Sequence, residues 1–164
     1  MSEPLAFLIT FRTYGSWLHG DPRGSVDNDH NIFDTPMLDP KSSLSVAESN
    51  RLRHPPVALT EAHRSVVADA IRRVCDERHW TLSALNVRSN HIHAVVSAPD
   101  SPERVMHALK SFATRALRES GLAAAGTRLW SRHGSTRYLW EPRELEGANF
   151  YVVESQGPDR RGEL

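Results

Sequence analysis

Two histidines one residue apart, His91 and His93, open the segment His91 to Ala98 (HIHAVVSA). Its apolar, β-branched run reads as a strand. Side chains alternate faces along a strand, so both imidazoles point one way and Ile92 points the other, into the core. Two neutral nitrogen donors side by side suit a divalent ion such as Mn²⁺, Zn²⁺ or Ni²⁺. Taken alone, the pattern does not separate a metal site from ordinary strand surface. His30, His54, His63 and His79 have no partner at metal-ligand spacing and read as surface. The chain has no Ser/His/Asp elbow, no zinc-finger spacing and no Gly-rich phosphate loop. Cys75 is the single cysteine. It excludes an internal disulfide framework and fits a reducing cytosol.

The elements around the pair follow from periodicity and punctuation. Leu5 to Arg12 is an apolar, β-branched and aromatic run that reads as a buried strand. Thr60 is placed to cap a helix with Val66, Val67, Ala70, Ile71 and Val74 at helical spacing, ending at about His79. Cys75 falls on that stripe and is expected in the core. Trp80 to Val87 reads as a strand that turns through Ser89 and Asn90 into the histidine strand. Ser101-Pro102-Glu103 starts a helix with a capping hydroxyl, a proline at its first position and an acid in its first turn; Gly121 closes it. Arg137 to Trp140 is a short strand candidate, and Pro142 opens a last helix through Tyr151, stopped at Gly157-Pro158. The order predicts an α+β fold, with a ferredoxin-like βαββαβ antiparallel sheet. One domain is expected over residues 1–158, with an irregular, acidic excursion at about 19–57 and a polar tail at 159–164.

The formal net charge of this 164-residue chain is zero, but the charge is uneven. Residues 1–50 hold seven acids against three bases, whereas residues 101–138 hold seven bases against two acids. A local basic surface matters more for nucleic acid than the whole-chain sum. Lys110, Arg115 and Arg118 on the second helix, with Arg132, Arg137 and Arg12, are candidate phosphate contacts. For charge alone, a solvated basic face accounts for the same pattern. Trp17, Trp130 and Trp140 are of a type that stacks on unpaired bases, although Trp140 is expected in the core. Nothing reads as a signal peptide or a membrane span, which predicts a cytoplasmic protein.

Asn90-His91-Ile92-His93 and the apolar strand after it resemble the HUH transposases with a single catalytic tyrosine. The REP-associated tyrosine transposases within the IS200-like superfamily are the nearest in pattern. Leu5 to Gly15, with its Thr-Phe-Arg-Thr-Tyr run, is similar to that family's first strand. Trp130 to Gly157 resembles its C-terminal region. The resemblance implies that Tyr151, on the last helix, is a catalytic nucleophile that forms a 5′-phosphotyrosine on single-stranded or hairpin DNA. It also implies that His91 and His93 hold Mg²⁺ or Mn²⁺, and it leaves monomer or homodimer open. Relatives place a third ligand, Gln or Asn, four residues after the tyrosine; here that residue is Ser155. Gln156 beside the helix end, or Glu154 three residues on, stands in as the candidate. The departure keeps a second reading in view, a catalytically impaired, domesticated DNA-binding protein. A third is a metal-dependent hydrolase unrelated to DNA, with Tyr151 structural.

Overall fold

In the computed structural model, the described residues are 2–16 and 56–154. They form β1 (Ala6–Thr13), α1 (Glu61–Glu77), β2 (Thr81–Val87), β3 (His91–Ser97), α2 (Pro102–Glu119), β4 (Trp130–Leu139) and α3 (Pro142–Glu154). The excursion expected at about 19–57, but for its last two residues, lies outside the described residues, as do Trp17, Gln156 and the 159–164 tail.

Helix ends are set by local hydrogen bonding. The Thr60 side chain accepts from the His63 amide, and the His63 ring accepts from the Thr60 amide in return, a capping box built with histidine. At the other end of α1, His79 takes a left-handed φ of 57°. There the Trp80 amide donates to the Cys75 carbonyl at 2.8 Å and the His79 amide to Asp76 at 3.2 Å. The chain thereby turns sharply into β2. Helix α2 ends the same way, with Gly121 at φ 75° and the Leu122 amide donating to Leu117 at 2.9 Å. The Glu144 carboxylate accepts from the Trp140 and Glu141 amides at the start of α3, and these bonds hold its pKa below the usual value.

The strands pair antiparallel in the order β2-β3-β1-β4. Apolar alternation sorts each strand onto two faces. Phe7, Ile9 and Phe11 of β1 and Ile92, Ala94 and Val96 of β3 join the main core with residues of α1 and α2. Ala6, Ala84, Val95 and Leu139 form a smaller core on the opposite face with Ala148 and Val152 of α3. Both histidines of the pair belong by register to this second face.

Strand β4 is longer than the Arg137 to Trp140 stretch expected from sequence. Its first seven residues, Trp130 to Thr136, are mostly polar and lack a strand period. It is a strand because it completes the ladder on the free edge of β1, where its outward side chains stay in water. The register between β1 and β4 shifts between Phe11 and Thr13, which crowds Ser131, Arg132 and His133 into a bulge. Beside the bulge, Gly134 has no room for a side chain: a Cβ there would lie 2.5 Å from the Thr10 carbonyl oxygen and 2.6 Å from Met106 Sδ. Backbone on one side leaves little to yield, so Gly134→Ala is expected to cost about 1–3 kcal/mol. The check is a lowered urea midpoint with an unchanged slope.

Cys75 is buried on α1 as expected, and burial pushes its thiol up to about 11. Almost no thiolate exists at pH 8, so a thiol reagent should label Cys75 only after denaturant unfolds the chain. Rapid labelling of the native protein would contradict this burial.

Candidate active site

Strand register places Thr10 opposite His93 and Arg12 opposite His91. Asn86 pairs with His93 from the other side. Each histidine is held through Nδ1. Asn90 Oδ1 lies 2.7 Å from His91 Nδ1, and Thr10 Oγ1 lies 2.8 Å from His93 Nδ1. A carbonyl oxygen only accepts, so His91 Nδ1 is the donor in this contact. The two rings stand edge to face, centroids 4.8 Å apart.

Helix α3 brings a third ring. Ala148 and Val152 seat the helix on the sheet, the Asn86 side chain donates to the Val152 carbonyl at 2.9 Å, and Ser83 Oγ donates to Asn149 Oδ1 at 2.9 Å. These contacts fix the helix rotation, and Tyr151, next to Val152, meets the His93 ring at a centroid distance of 5.6 Å. His93 is 7% exposed and Tyr151 is 45% exposed, so the tyrosine forms the accessible side of the cluster.

The chemistry of this donor set fits a divalent ion in part. It offers two imidazoles on one face, each with Nδ1 engaged, so an ion would be held through Nε2. Among the described residues no group of three or more His, Cys, Asp or Glu side chains is placed to hold a metal. Glu154, on the last turn of α3, is therefore not gathered with the pair, and Gln156 lies outside the described residues.

The six basic candidates divide between the faces. Arg12 lies on the histidine face by its register with His91, and Arg137 by its register with Leu8. Lys110, Arg115, Arg118 and Arg132 instead line a groove of about 830 Å³ between α2 and the bulged start of β4. This groove is on the opposite face, since Lys110 Nζ sits 5.7 Å from the centre of the Phe11 ring in the main core. Lys110 also donates to the Ser131 carbonyl at 3.1 Å. Burial, and then the charge of Arg128, lowers its pKa. His107 and His133 add to the groove wall.

Of the tryptophans, Trp130 is buried, donating from Nε1 to Thr114 Oγ1 at 2.8 Å. Trp140 corrects the expectation of a core residue. It is 48% exposed and stacks on Tyr138, because it follows the last strand residue, Leu139, and lies in the turn to α3, outside both packed clusters of the sheet.

A family model described as "Transposase IS200 like" matches residues 53–142, more than half of the chain. The chain belongs to the IS200-like transposase family. The matched stretch contains His91 and His93 and ends before Tyr151. Among solved structures, the chain is similar to a REP-associated tyrosine transposase bound to a REP hairpin. The identity is 11% over 93% of this chain and 67% of the other, with a TM-score of 0.48. No curated protein matches the sequence. Among the described residues, no helix of this IS200-like chain is long and apolar enough to cross a membrane.

Proposed function

We propose that this IS200-like chain is a single-tyrosine DNA strand transferase whose reacting group is the Tyr151 hydroxyl. The observation that carries the reading is the row of rings His91, His93 and Tyr151, gathered at one sheet face although Tyr151 lies more than fifty positions after His93 in sequence. A ferredoxin-like βαββαβ reading is supported by the strand order β2-β3-β1-β4 and by the packing of α3 on the sheet face opposite α1 and α2. In the step proposed, Tyr151 Oη attacks a backbone phosphorus and loses its proton. The P–O3′ bond breaks, the 3′ oxygen takes a proton, and the 5′ phosphate stays on the tyrosine. The covalent bond conserves the energy of the broken one, so the reverse attack by a 3′-OH rejoins the strand without an external energy source. Mg²⁺ or Mn²⁺ held by His91 and His93, with Gln156 as the third protein ligand, would polarise the phosphate and offset charge on the leaving oxygen. Arg12, across from His91, would neutralise a phosphate entering the same face.

The groove on the opposite face, lined by Lys110, Arg115, Arg118 and Arg132, would hold the phosphate backbone of a hairpin. A non-catalytic hairpin-binding protein is the second reading. It is favoured by the gathering of only two metal-ligand side chains among the described residues. The deciding experiment mixes the protein with labelled hairpin DNA carrying a single-stranded flank and Mn²⁺, then runs a denaturing gel. A metal-dependent covalent protein–DNA band is expected. Retarded hairpin on a native gel with no covalent band across varied flanks would replace this reading with the second.

A further inference from the structure

The His93 ring can present either nitrogen to Tyr151, and something must choose. We propose that Thr10 is the positioning residue that makes this choice. Its hydroxyl holds Nδ1, so that Nε2 is the nitrogen turned toward the reacting face. The inference rests on the strand-transfer reading for its functional meaning, but its structural part is independent of it.

The geometry is specific. Thr10 is the direct cross-strand partner of His93, and the 2.8 Å contact joins a side chain of β1 to one of β3 within the sheet. With His93 at 7% exposure, little water is available to replace that bond. Turning the ring over would set a ring carbon against the Thr10 hydroxyl and give up the hydrogen bond. His91 is held differently, by the Asn90 side chain of its own turn, so the two histidines depend on separate elements. A hydroxyl, unlike an amide oxygen or a carboxylate, can donate as well as accept. It accepts from Nδ1–H when Nε2 gives its lone pair to an ion. It adds no negative charge, so it orients the ring without making it a stronger base. Such a partner suits an ion that binds weakly and exchanges.

The test uses the full chain in the Tyr151→Phe background, so that no DNA chemistry intervenes, with Thr10→Val and Thr10→Ser. Valine keeps the β-branched shape of threonine and removes the hydroxyl; serine keeps the hydroxyl. Two quantities are read: the His93 ring orientation, from nuclear Overhauser contacts of its Cδ2 and Cε1 protons without metal, and Mn²⁺ affinity by electron paramagnetic resonance. One orientation, with Nδ1 toward the side chain at position 10, is expected in the parent and in Thr10→Ser, and both orientations in Thr10→Val. Mn²⁺ affinity should fall about 10–100-fold in Thr10→Val and recover in Thr10→Ser. The same ring orientation in all three chains would overturn the inference, whatever the metal result. A parent chain that binds no Mn²⁺ would count against the strand-transfer reading, while the orientation result still decides the role of Thr10. A Thr10→Val chain whose His93 ring turns over with no change in Mn²⁺ affinity would overturn the functional half of the inference.

Discussion

Replacing Tyr151 with Phe is expected to abolish the covalent protein–DNA band and to lower strand cutting by at least about 1,000-fold, because it removes the proposed nucleophile itself. The effect should be confined to chemistry. Tyr151 is 45% exposed, and α3 is seated by Ala148 and Val152, so the ring stays where it is and only the hydroxyl is lost. Stability should change by less than about 0.5 kcal/mol, the range of ordinary surface substitutions. Hairpin binding should persist, since the basic groove lies on the other face of the sheet. Tyr138→Phe is the matched control: Tyr138 stacks on Trp140 and meets Phe7, away from the histidines, and its variant should retain the band. A covalent band that survives Tyr151→Phe would show that another residue reacts, or that the attachment is not a phosphotyrosine.

The largest effect on stability is expected from Phe11→Ala. Phe11 is fully buried in the central strand β1, meets the Trp130 ring edge to face at 5.2 Å, and lies under the Lys110 side chain. Truncating such a ring leaves a cavity in the layer between sheet and helices and costs about 3–5 kcal/mol. That is a large share of the roughly 5–15 kcal/mol that holds a domain folded. Chemical denaturation followed by circular dichroism reads it directly. Thr10 and Arg12, the neighbours of Phe11 in β1, point to the opposite face, toward His93 and His91. A core defect on one face should therefore also disturb the site on the other, with metal binding weakened beyond what the fraction unfolded explains. A loss below about 1 kcal/mol would mean that the surrounding side chains close the cavity.

The amino-acid sequence by itself determined the local pieces of this protein. The caps at Thr60 and Ser101, the stop at Gly121 and the apolar periods of β1, α1, β3 and α2 are short-range patterns, and the structure places those elements within a residue or two of where they read. The period of two also settled that His91 and His93 share a face and that Ile92 points away from them. The full length of β4 was not legible, because a polar edge strand owes its shape to the neighbour it pairs with rather than to its own side chains. The link between Thr10 and His93 was hidden for a related reason. It depends on the register of two strands 83 positions apart, which packing of the whole sheet sets. The division of the basic residues was a tertiary outcome too: composition counts charges, and only the placement of α2 against the bulge of β4 sends four of them to the face away from Tyr151. Local hydrogen bonding and periodicity act over a few residues and can be read along the chain. Register, docking of α3 and the meeting of Tyr151 with His93 come from burying two faces of one sheet at once, and they exist only when the chain is folded.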